Sequence, residues 1–126
     1  MNPLNYASLE ASKKLVDVGI ILETEVVFEQ HLWPGGEAWE LILKYLVSPT
    51  HKHIPAPSMA EVWRELPVEL YIGVKTSYHL ELVKLNEINR CTYRAITGST
   101  LKHSIENINP TDALIELLIW TRKKEV

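Results

Sequence analysis

Two histidines separated by one residue form the pattern in this sequence that best suits a metal site. His51 and His53 lie in a proline-rich segment, and the histidine imidazole is a common zinc ligand. A stable site needs a third ligand and usually a fourth. His31, His79 and His103 are distant in sequence and would meet the pair only through the fold. The sequence therefore favours solvent-exposed loop histidines, with a small-ligand or metal site at His51 and His53 as the alternative.

The single cysteine, Cys91, is the other side chain with nucleophilic potential. A thiol beside a histidine can serve as a nucleophile. Alternation along an expected strand places Cys91 on the face shared with Tyr93 and Ala95, where a free cysteine usually behaves as a small buried hydrophobic residue. No nucleophile motif surrounds it. We therefore expect an inert buried thiol, and the sequence predicts no bound cofactor.

Two sets of glutamates have spacings that could place paired carboxylates together for acid–base chemistry. The first set alternates along an expected strand and would share one solvated face, whereas the second lies on the polar side of an expected short helix. The sets are Glu23, Glu25 and Glu29, and Glu61, Glu65 and Glu69. We expect ordinary acidic surfaces at both places. The sequence thus predicts no catalytic residue and no enzymatic activity.

Tryptophan is more frequent than usual, with four residues in a chain of 126. Tryptophan is enriched in protein–protein hot spots, but it also fills hydrophobic cores. Trp63 and Trp120 lie on or beside apolar helical stripes, which favours the core. Trp33 flanks an expected turn, where exposure is favoured. We predict a partner-binding surface formed by Trp33, Trp39 and Tyr71.

The charge balance argues against nucleic-acid binding as the main function. The chain has 13 basic and 16 acidic side chains and a formal net charge of −3. A nucleic-acid-binding protein usually carries a basic field that neutralises phosphates. Arg90, Arg94 and Lys102, near Tyr93, leave weak nucleic-acid binding as a second alternative.

The length and composition suit one globular domain over residues 1–126, with no need of disulfides or metal for folding. A lone cysteine favours a reducing compartment. The first residues lack the basic and apolar regions of a signal peptide, and no apolar run approaches the roughly 20 residues of a membrane span. The cytoplasm is the expected location.

Three helices are predicted from their start signals. The first has Asn2 or Asn5 as its cap, an apolar face at steps of three and four, and Gly19 as its end. Ser58 and Glu61 form a capping box at the start of the second. Asn109, followed by proline, begins the third, whose apolar stripe is wider than one packing face needs. That width predicts either deep burial or a partner surface.

The strands are predicted from alternating apolar residues and turn signals. Residues 24–32 and 39–47 form an expected hairpin around Pro34-Gly35-Gly36, with a helix over 37–47 as the competing interpretation. Residues 48–57 are expected to be a loop because they hold three prolines. Residues 68–105 predict a meander. The expected fold is α+β, an antiparallel sheet with the N-terminal, short central and C-terminal helices packed on one face.

Three segments are distinctive when taken together: Asn5-Tyr6-Ala7-Ser8, residues 54–67 (IPAPSMAEVWRELP) and residues 109–120 (NPTDALIELLIW). In this order they resemble a group of small proteins encoded by bacteriophages and prophages, notably of gut Bacteroidetes. They cover roughly a third of the chain, and each also has a structural explanation as a helix start or helix face. The resemblance implies a phage or prophage origin and a location in the bacterial cytoplasm, but no particular activity or site residue.

The leading hypothesis from the sequence is a non-enzymatic interaction protein that binds a protein partner or a second copy of itself. In a phage setting, such a protein would modulate a host factor or a defence system. Metal or small-ligand binding at His51 and His53, and weak nucleic-acid binding, are the alternatives.

Overall fold

The computed structural model describes residues 5–67, 69–71, 77–85, 88–95 and 101–124. Within these ranges the fold is α+β, with helices packed against antiparallel strands. The helices are α1 (Leu9–Asp17), α2 (Met59–Glu65) and α3 (Pro110–Lys124). The strands are β1 (Val26–Trp33), β2 (Gly36–Leu43), β3 (His53–Pro55), β4 (Glu69–Tyr71), β5 (Ser77–Leu85), β6 (Ile88–Ala95) and β7 (Leu101–Asn107), and Lys44–Leu46 forms a 3₁₀ turn.

The first sheet contains the expected hairpin, and residues 37–43 form a strand rather than the competing helix. The expected strand to residue 47 is too long, because Lys44–Leu46 form a 3₁₀ turn. Its order is β2-β1-β3, so β1 is central. Trp33 pairs with Gly36 at the tip, and Gly35 there has a φ of 93°, a conformation that favours glycine. β3 was not expected, because its segment was predicted to be a loop. It has only three residues, which pair with β1, and its last residue is Pro55, which has no amide hydrogen to donate to a strand ladder.

The second sheet is the expected meander, in the order β4-β5-β6-β7. The hairpin and the meander therefore belong to separate sheets, rather than to one continuous sheet. One face of the meander carries Cys91 and Tyr93, both fully buried, and α3 contacts β6 and β7.

Helix α3 forms the centre of the core, which resolves its wide apolar stripe as deep burial. Five of its apolar side chains are fully buried: Ala113, Leu114, Ile115, Leu117 and Leu118. It contacts both other helices as well as the meander. The predicted cap is confirmed, since Oδ1 of Asn109 accepts hydrogen bonds from the amides of Thr111 (2.9 Å) and Asp112 (3.3 Å).

Helix α1 begins later than expected, and Ser8 rather than Asn2 or Asn5 is its cap. The Ser8 hydroxyl accepts from the Ala11 amide at 3.1 Å, and the Ser8 amide donates to Oδ1 of Asp112 at 2.8 Å. The second bond fixes this cap to the start of α3, a long-range contact that local sequence cannot show. The end is as predicted, because Gly19 has a φ of 82° and closes the helix.

Helix α2 has the predicted capping box between Ser58 and Glu61. Its apolar face is narrower than predicted, because Val62 and Leu66 are buried while Met59 and Trp63 are 39% and 40% exposed. The expectation that Trp63 belongs to the core is therefore wrong. Trp120 packs against the core, with its ring centroid 6.2 Å from that of Tyr93.

Candidate metal centre

Glu29, on the central strand β1, is a buried carboxylate. The expectation that it shares a solvated face with Glu23 and Glu25 is wrong, because only 4% of its surface is exposed. Its Oε2 accepts a hydrogen bond from the Ser48 amide at 2.9 Å, from the connection between β2 and β3. This bond is the main reason that the pKa of Glu29 lies below its ordinary value; His51 and His31 also lower it, and burial opposes the shift.

Two histidines approach this carboxylate from different parts of the chain. His31 follows Glu29 by two residues on β1, so both side chains lie on one face of the sheet. Its Nε2 lies 3.2 Å from Oε1 of Glu29. His51 comes from the connection before β3, and its Nδ1 lies 3.1 Å from Oε2. The two imidazole rings meet edge to face, with centroids 5.2 Å apart.

The three side chains have the geometry of a partial metal site. One ligand atom from each of Glu29, His31 and His51 lies within 4.8 Å of the other two. Ligands around a tetrahedral zinc ion stand about 3.4 Å apart when the bonds are about 2.1 Å long. Small side-chain adjustments would therefore bring these three atoms onto one cation.

The Nε2 of His31 adds a second indication. This atom is buried, and despite its proximity to Glu29 it has no hydrogen bond of acceptable geometry. A buried polar atom without a partner carries a desolvation cost, unless something else satisfies it. A cation between His31 and Glu29 would do so.

Of the predicted His51 and His53 pair, only His51 belongs to the three-residue group. His53 stands opposite Glu29 in the β1–β3 register but is exposed, and it does not join the three-residue group. The two histidines differ because His51 precedes β3 in a turn, whereas His53 is its first residue. The sequence did contain a usable signal in Glu29-x-His31, since alternate residues of a strand share a face. The side chains of His79 and His103 lie outside the described residues.

The other predicted site residues are dispersed. Trp33 is 53% exposed at the hairpin tip, as expected, and Trp39 is half-buried on the opposite face from Glu29, with the Lys13 ammonium 5.1 Å from its ring centroid. The side chain of Tyr71 lies outside the described residues. Cys91 is buried, as predicted, and this burial raises the pKa of its thiol to about 12.

The basic group near Tyr93 is only partly described. Arg90 is half-buried on β6, and its Nε is buried without a hydrogen-bond partner. The side chains of Arg94 and Lys102 lie outside the described residues.

Comparison with protein families, curated proteins and solved structures gives no significant match. Among the described residues, no helix has the length and apolar character that crossing a membrane requires.

Proposed function

We propose that this protein binds one divalent transition-metal ion, with zinc as the first choice, through Glu29, His31 and His51. The observation that carries the proposal is the convergence of one ligand atom from each residue within 4.8 Å. The proposed site differs from the His51 and His53 pair that the sequence suggested. It keeps His51, omits His53 and adds Glu29 and His31.

The ligand types support a borderline metal over a hard one. Two imidazole nitrogens and one carboxylate suit Zn²⁺, Co²⁺, Ni²⁺ or Cu²⁺, whereas Ca²⁺ and Mg²⁺ prefer oxygen ligands. The Ser48 amide holds one oxygen of Glu29, which orients the carboxylate and leaves Oε1 directed towards His31. Hydrogen bonds of this kind to ligating carboxylates raise metal affinity.

Calorimetric titration of chelator-treated protein with Zn²⁺ at pH 7.5 tests the proposal. We expect one ion per chain, with affinity lowered at least about tenfold in His31→Ala and in His51→Ala. His53→Ala is the matched control, because His53 is an exposed neighbour outside the group. Absence of binding, or equal losses in His53→Ala and His51→Ala, would refute this site.

A second proposal, protein–protein interaction, is supported by the tip of the hairpin. Leu32 and Trp33 are consecutive there, so their side chains lie on opposite faces of β1, and they are 72% and 53% exposed. An exposed tryptophan at a hairpin tip suits contact with a partner. Sedimentation equilibrium tests whether the partner is a second copy: we expect association that Trp33→Ser weakens and Trp63→Ser leaves intact. A concentration-independent monomer would remove self-association.

The biological setting is also part of the proposal. The resemblance to phage-encoded proteins and the single cysteine support a bacterial cytoplasmic location, and a role in modulating a host factor through the interaction surface. Fractionation of the bacterial host during expression should place the protein with the cytoplasmic markers.

A further inference from the structure

Glu40 on β2 lies directly across from Glu29 in the β1–β2 register. Directly opposed residues of an antiparallel pair point to the same face, with their Cβ atoms about 5 Å apart. Two like charges in such a pair destabilise the sheet unless something compensates. The hairpin therefore places the two side chains next to each other on one face, where a cation between their carboxylates would relieve the repulsion.

The same two carboxylates flank His31. Its Nε2 lies 3.2 Å from Oε1 of Glu29 and 3.5 Å from Oε2 of Glu40. Glu40 is the outer member of this arrangement, since its side chain is 62% exposed, against 5% for Glu29. Glu40 lies outside the group whose ligand atoms are within 4.8 Å of one another, but it already contacts His31. A side chain with that exposure can change rotamer towards the group without displacing core residues.

We propose that Glu40 is the fourth protein ligand of the metal, an inference that rests on the proposed function. Zinc sites with four protein ligands are closed and structural, whereas catalytic sites keep one position for water. With Glu40 bound, the ion is retained as a cross-link between β1, β2 and the connection that carries His51. Its role is to fix the hairpin to that connection, and not to activate water.

Cobalt titration of the full chain tests this assignment. Co²⁺ replaces Zn²⁺ in such sites, and its visible absorption is intense when four ligands surround it tetrahedrally and weak at higher coordination number. We expect the intense spectrum for the unchanged protein. Glu40→Gln should lower Co²⁺ affinity at least about tenfold and shift the bands as a water molecule replaces the carboxylate.

Glu37→Gln is the matched control. Glu37 is an exposed carboxylate on the same strand but on the opposite face, where it contacts Gln30 and Trp39. It should leave both affinity and spectrum unchanged. The assignment is overturned if Glu40→Gln keeps the affinity and spectrum of the unchanged protein, because the site then has three protein ligands and an open position. Absence of Co²⁺ and Zn²⁺ binding by the unchanged protein instead overturns the proposed function itself.

Discussion

Stabilisation by zinc should depend on His51, because this residue joins the connection before β3 to the buried carboxylate of Glu29. At a free zinc concentration 100 times the dissociation constant, binding to the folded state alone stabilises it by about 2.7 kcal/mol. Unfolding entropy of about 2.1 cal/mol/K per residue gives about 0.26 kcal/mol/K for this chain of 126 residues. The unchanged protein should therefore melt about 10 °C higher with zinc than with chelator.

His51→Ala removes one of the three converging ligands. A loss of about 100-fold in affinity brings the same zinc concentration down to the dissociation constant, where the stabilisation is only about 0.4 kcal/mol. The zinc-dependent shift should then shrink to about 1.5 °C.

Thermal melts followed by circular dichroism, with and without chelator, measure both shifts. His53→Ala should retain the shift of the unchanged protein. Equal shifts in His51→Ala and the unchanged protein would show that the stabilising ion binds elsewhere. No shift in the unchanged protein at any zinc concentration up to the millimolar range would show that the folded chain does not bind zinc at this group.

Three further predictions concern the scaffold. Cys91 should resist alkylation in the folded state, because its pKa is raised from 9.0 to about 12. Its contribution to the free energy of unfolding should be complete below pH 9 and decline as the pH rises from 9 to 12, which denaturation at a series of pH values measures. Leu114→Ala should lower the free energy of unfolding by about 2–5 kcal/mol in urea titrations, because Leu114 is fully buried in α3. Asn109→Ala should cost about 0.5–2 kcal/mol in the same assay, because two amides of the first turn lose their acceptor.

Local patterns in the sequence predicted the parts of the fold that depend on neighbouring residues. Ser58 with Glu61, Asn109 with Pro110, and the tip at Gly35 each act within a few positions, so their chemistry is readable without the fold. The burial of Cys91 followed from simple alternation.

The candidate site escaped prediction because its burial comes from distant segments. From the sequence, Glu29 is expected to be a solvated strand residue. In the fold, the Ser48 amide and the His51 ring, both from the β2–β3 connection, contact its carboxylate. The exposure of Trp63 has a similar cause, since the helical stripe shows which side is apolar but not how much of that side α3 covers. The separation of the strands into two sheets likewise depends on long-range pairing that alternation does not encode.

The link between the start of α1 and the start of α3 constrains the order in which the chain can fold. The Ser8 amide binds Asp112 across 104 positions, and the Tyr6 carbonyl accepts from Asn109 across 103. During synthesis, α1 leaves the ribosome long before α3 is made. The apolar residues of α1 that pack against α3 therefore stay uncovered while the strands of both sheets are synthesised. Hairpin pairing is local and early, whereas closure of so long a loop is entropically costly and late. We expect nascent chains stalled before residue 110 to expose that face and to be the species that chaperones engage.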